Sequence, residues 1–154
     1  MSKLWVVLGL AAIFTLGGCQ KTIPFEYDES EWSSRVNQFM EKQVGATDLG
    51  RDNYHCANKL YGLDQKYIYA WVFCSGFTQP VEGKLTPGTG FSIPTRLEYD
   101  KGVIVRYEWP VDGRYYYDSW KELFGEYFEG KEPDSEMIDK FQKEILVKTY
   151  KKTN

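Results

Sequence analysis

The stretch Tyr67-Ile68-Tyr69-Ala70-Trp71-Val72-Phe73-Cys74 decides the fold. It is aromatic and β-branched almost throughout, with apolar residues on both faces of an extended chain. Such a run fits a strand at the centre of a sheet with both faces covered. Upstream, Gly62 to Lys66 reads as a turn, and Asn53 to Tyr61 as the antiparallel partner. An odd-length hairpin loop sets Gly62 opposite Ile68 and Cys56 opposite Cys74. Directly opposed side chains in a non-hydrogen-bonded pair are close enough to bridge, so a Cys56–Cys74 disulfide is expected.

The rest of the domain builds outward from this hairpin. Trp32, Val36, Phe39, Met40 and Val44 recur at helical spacing, which predicts an amphipathic helix over 30–44, stopped by Gly45. Asp28 and Glu31 stand at capping-box spacing at its start. Downstream, residues 78–90 are rich in Gly, Pro and Thr and read as an exposed loop. Phe91, Ile93, Thr95, Leu97 and Tyr99 then alternate, as do Val103, Val105, Tyr107 and Trp109, across a tight hairpin at Asp100-Lys101-Gly102. Pairing Tyr99 with Val103 and Leu97 with Val105 gives one apolar face. It sets Glu98 and Arg96 diagonal to Arg106 and Glu108 on a solvated face. Pro94 suggests an edge strand. Asp118 is positioned to cap a short helix carrying Trp120, Leu123, Phe124, Tyr127 and Phe128, with Gly125 as its stop or kink. Pro133 and Asp134 open a last helix, with Met137, Ile138, Phe141, Ile145 and Leu146 on one face. The fold class is therefore α+β: an N-terminal helix on a four-stranded, mostly antiparallel sheet, followed by C-terminal helices.

Few residues offer chemistry. Aromatic residues make up 17% of the chain, enough for a substantial core, and the formal net charge is −3. An acidic balance without a basic stripe excludes nucleic acid as the expected partner. There is one histidine, His55, where a metal site wants three or four ligands. The sequence points to no metal, no cofactor and no catalytic residue. Hydrolysis through His55 is the alternative least favoured by its place in a strand beside Cys56. Tyr115-Tyr116-Tyr117 cannot all face one core, so Tyr115 and Tyr116 are candidate binding residues for a protein or a glycan.

The N-terminus carries an address. Lys3 precedes an apolar run from Leu4 to Leu16, too short for a spanning helix, which needs roughly 20 residues. Leu16-Gly17-Gly18-Cys19 follows, and a positive start, an apolar stretch and small residues before a cut make a secretory signal peptide. With cysteine at the cut, the segment resembles the lipobox of bacterial lipoproteins. The resemblance implies cleavage after residue 18, acylation of Cys19, and a place on the bacterial cell membrane or outer membrane, facing outward. Gln20, rather than Asp, after the cysteine is compatible with the outer membrane by the same resemblance. Residues 1–18 are then signal peptide, 19–27 a lipidated tether and 28–154 a single domain. Of three cysteines, lipidation leaves Cys56 and Cys74 as a pair in an oxidising space.

Two further resemblances concern the domain. Lys59-Leu60-Tyr61-Gly62, Tyr67 to Trp71, Gly88-Thr89-Gly90, Pro94 and Pro110 to Gly113 with Tyr117 follow one another in an order similar to a small extracytoplasmic domain. That domain stands alone in bacterial lipoproteins or is fused to membrane zinc peptidases of the β-lactam-sensor type. Leu123-Phe124-Gly125 replaces the Ile-Phe-Pro stop of that pattern, and the cysteine pair lies outside it. One helix followed by four antiparallel strands also resembles the cystatin layout. Gln79-Pro80-Val81-Glu82-Gly83 fits the inhibitors' Gln-x-Val-x-Gly loop and makes Gln79 and Val81 candidate binding residues, although the segment follows the second strand rather than the first. The expected role is a membrane-anchored, non-enzymatic binding or accessory module of the cell envelope. Its contact surfaces would be residues 78–90 and 110–117, and a protease-inhibitor module is the alternative.

Overall fold

Helix α1 (Glu29–Thr47) opens on Asp28, whose carboxylate accepts the backbone N–H groups of Ser30 at 2.9 Å and Glu31 at 3.1 Å. This satisfies two of the donors that a helix start leaves unpaired. Glu31 pairs with Arg35, one turn on. The helix runs through Gly45 to Thr47, two residues beyond the expected stop. The computed structural model describes residues 26–47, 53–81, 84–128 and 132–153.

Strands β1 (Asn53–Leu63), β2 (Tyr67–Val81), β3 (Lys84–Asp100) and β4 (Val103–Glu108) form one antiparallel sheet in the order β1-β2-β3-β4. The run that opened the sequence reading is the core of β2, flanked on both sides. Its even positions Ile68, Ala70, Val72 and Cys74 join Val36 and Met40 of α1, Leu60 and Leu97 in one core. Its odd positions face the other way. Tyr69 and Trp71 pack with Trp120 and Phe124 of α2 (Tyr116–Phe124), and Phe73 packs with Phe141 and Ile145 of α3 (Ser135–Thr153). The sheet is thus covered by α1 on one face and by α2 and α3 on the other.

Cys56 faces Cys74 as expected, and the register holds from Asn53↔Phe77 to Leu60↔Ala70. A bulge between Leu60 and Gly62 then shifts the register, so Gly62 lies opposite Tyr69 rather than Ile68. The β3–β4 hairpin is corrected in the same way. Its turn is the two-residue Lys101-Gly102, both at positive φ (49° and 79°), the geometry that matches strand twist. Asp100 pairs with Val103 and Tyr99 with Ile104, then a shift sets Glu98 opposite Arg106 and Leu97 opposite Tyr107. This bulge at Val105 turns Ile104 into the core and leaves Val103 and Val105 exposed. Glu98–Arg106 and Arg96–Glu108 are consequently direct pairs, not diagonal ones, and both are ion-paired.

Residues 78–81 and 84–90 are strand rather than loop. Thr78 pairs with Thr86 and Val81 with Lys84, so β2 and β3 continue as a two-stranded arm. β1 ends its pairing at Phe77 and β4 at Arg96, so among the described residues neither outer strand reaches the arm that carries Pro80 and Pro87. Pro94 likewise lies in the part of β3 that β4 does not reach.

Tyr115, not Asp118, is the N-cap of α2, and it caps with no side-chain hydrogen bond. Asp118 sits inside the first turn, where its charge suits the helix dipole. Gly125, at φ 53°, ends the helix. Asp134 caps α3, accepting the Met137 N–H at 2.9 Å. Phe141 and Ile145 of that helix are buried, whereas Leu146 is exposed.

Candidate functional site

Cys56 and Cys74 form a disulfide with both residues fully buried and Cα atoms 4.1 Å apart. The separation suits a non-hydrogen-bonded antiparallel pair. In such a pair the main-chain N–H and C=O point away from the partner strand, here toward the outer edge of the sheet. Two helices meet them there. The Cys56 N–H donates to Oε1 of Glu41 on α1 at 2.9 Å, and Nζ of Lys148 on α3 donates to the Cys56 carbonyl at 2.8 Å. Lys148 is also held by Glu144, one turn earlier, at 3.0 Å.

His55 belongs to this cluster. Its Nδ1 lies 3.6 Å from Glu41 Oε1, its side chain is 7% exposed, and Nε2 is buried without a hydrogen-bond partner among the described residues. Burial pushes the Glu41 carboxyl up, but His55, the Cys56 N–H and the charge of Lys148 outweigh it and hold the carboxyl below the usual range. A shallow cavity of about 450 Å³ opens above, bordered by Ser34, Asn37, Gln38, Lys148 and Lys151. His55 forms its inner wall through a ring that offers an incoming molecule no exposed Nε2. General acid–base work needs a group within hydrogen-bond reach of substrate, and Nε2 of this ring is buried. The sequence offers Lys148 only as one of a C-terminal cluster with Lys151 and Lys152 that suits a helix end, and gives no sign of Glu41, because both flank apolar stripes where a charge ordinarily marks a boundary with solvent.

The tyrosine run divides. Tyr115 ends a 3₁₀ turn (Gly113–Tyr115), is 52% exposed and lies under the Arg114 guanidinium at 4.6 Å. Tyr116 is half-buried against Trp120, and burial together with the Glu132 carboxylate pushes its hydroxyl up to about 12. Tyr117 is exposed, and its hydroxyl donates to Glu132 at 3.3 Å. Tyr115 and Tyr117 therefore present rings to solvent, while Tyr116 belongs to the core. The backbone of Gln79 and Val81 lies in the β2–β3 arm; their side chains, like all of Cys19, lie outside the described residues. The structure does not bring the tyrosines and the disulfide cluster together.

A third constellation was not anticipated. Asp64, in the β1–β2 turn, accepts from the Lys66 and Tyr67 N–H groups at 2.8 and 2.7 Å and from the Tyr69 hydroxyl at 2.8 Å, while Tyr99 donates to its carbonyl at 2.6 Å. Burial, and then Asp64, raise the Tyr69 hydroxyl well above the ordinary tyrosine range. Tyr127 stacks on Tyr69 at 4.4 Å. This is a structural knot that fixes the turn.

Among the described residues, no group of three or more His, Cys, Asp or Glu could hold a metal ion, and no helix is long and apolar enough to cross a membrane. No family model, curated protein or solved structure matches this chain.

Proposed function

We propose that this chain is a bacterial lipoprotein, anchored in the cell or outer membrane through acylated Cys19, whose domain is a non-enzymatic binding or accessory module of the envelope. The observation that carries the reading is the use of cysteine. Cys56 and Cys74 are joined in the sheet, a state that persists in oxidising compartments outside the cytosol. The remaining cysteine stands at Leu16-Gly17-Gly18-Cys19. Several acyl chains there would hold stably where one would not. The ordered segments between residues 54 and 124 that resemble an extracytoplasmic lipoprotein domain support the same placement. The burial of His55 Nε2 favours binding over hydrolysis. The partner is an envelope protein or a glycan, with Tyr115, Tyr117 and the β2–β3 arm as presented surface.

Fractionation of cells producing the full chain or its Cys19→Ser variant tests the anchor. The full chain is expected in the membrane fraction, resisting salt wash and released by detergent. The variant should lose that retention. Equal retention of both would contradict the reading.

A further inference from the structure

β1 is the first strand of the sheet and pairs with β2 alone. At Cys56 its outer edge is closed by Glu41 from one side and Lys148 from the other. Alternation along the strand points the N–H and C=O groups of Asn58 and Leu60 the same way as those of Cys56. There the helices part, and a cleft of about 670 Å³ opens between the N-terminal end of α1 and α3, with Asn58 and Lys59 on its floor and Met137 and Phe141 on its wall. An outward row of strand N–H and C=O groups is a template for another strand.

From this we infer that the β1 edge at Asn58–Leu60 is a strand-addition site that takes an extended peptide segment of a partner protein. Main-chain hydrogen bonds would supply affinity, and side chains alternating toward the cleft wall would supply selectivity. The occupant is a single strand and not a second copy of this chain. α1 and α3 rise on both sides of the β1 edge, and a second sheet carrying its own helices would collide with them. Both edges carry a bulge, β4 at Val105 and β1 at Tyr61, so the open stretch of β1 is the short one between the closed Cys56 and its bulge. Glu29, Asp134, Glu136 and Asp139 border the cleft against three lysines, so a peptide carrying basic and apolar residues in alternation suits it. The proposal gives the binding module described above a second contact surface, one that takes a peptide. It rests on the binding half of that reading and is independent of lipidation.

The test uses the full chain in detergent and a capped peptide of about six residues alternating lysine and valine, the length of an ordinary strand. Amide exchange at Asn58 and Leu60 should slow by about tenfold on binding, the effect of one net hydrogen bond. Methylating the peptide nitrogens that face β1 should weaken binding by about tenfold or more, while methylating the alternate nitrogens should change it little. Asn58→Pro removes an outward donor without breaking the ladder to β2, and should abolish binding. The methylated peptides keep the test decisive if that variant fails to fold. Binding without protection at Asn58 and Leu60, indifference to which nitrogens are methylated, or no binding at millimolar peptide would each overturn the proposal. None of these outcomes touches acylation of Cys19, so the two readings fail separately.

Discussion

A methyl group added at Gly62 would fall inside the ring of Tyr127, which itself stacks on Tyr69 across the strand pair. Gly62→Ala must push that ring aside. The expected cost is about 1–3 kcal/mol, the usual penalty for overpacking, read as a lower urea midpoint at unchanged slope. Trp120 presents a different case. It is fully buried in the α2 core, and its indole N–H is without a hydrogen-bond partner among the described residues. Trp120→Phe removes that orphan donor along with some ring area. It should therefore cost clearly less than Trp120→Ala, for which about 3–5 kcal/mol is expected, with thermal unfolding of both variants as the check. Glu41 makes stability depend on pH. Its carboxyl is lower in the folded chain than its ordinary value, so its contribution is fully present above about pH 4.3 and is lost as pH falls through the lowered folded value. The gap in urea midpoint between the wild type and Glu41→Gln should be widest near neutrality and close toward acid. A gap constant across that range would contradict the cluster as described.

At the scale of elements, the disulfide forms as the register of the two cysteines predicts, although the bulge after Leu60 overturns the turn end of that register. It closes a separation of 18 residues, for which chain entropy gives roughly 3 kcal/mol. Cys56→Ala with Cys74→Ala should lower stability by about that amount while leaving the far-ultraviolet spectrum intact, since the β1–β2 ladder does not need the bond. What the sequence hid are the bulges and the arm. Tyr61 and Val105 carry no mark that distinguishes an inserted residue from its neighbours, and one insertion reverses which face every later residue takes. That is why Val103 and Val105 are outside and Ile104 inside. The arm was hidden by its prolines and glycines, which ordinarily end a strand. They are tolerated because β1 and β4 stop short of it, a fact of pairing that no local pattern carries. α2 and α3 were legible because their apolar residues keep the helical period. The missed cap at Asp118 reflects the 3₁₀ turn that starts the α2 region earlier.

For the whole molecule, the layout of helix, sheet and helices was open to sequence reasoning because β2 is apolar on both faces and so demands two covering layers. The candidate site was less so. Glu41, Lys148 and the Asn58 edge come together only after α1 and α3 pack on opposite sides of β1, and each residue alone looks like an ordinary boundary charge or strand position. The proposed address is of another kind: it rests on four consecutive residues, Leu16 to Cys19, and not on the fold. Membrane attachment is thus the central claim of the proposed function. Mass spectrometry of the N-terminal peptide of the protein isolated from bacterial membranes tests it most directly. The account predicts a mature chain that begins at Cys19 and carries acyl chains on that residue. A chain that still begins at Met1, or one cut elsewhere with an unmodified Cys19, would contradict it.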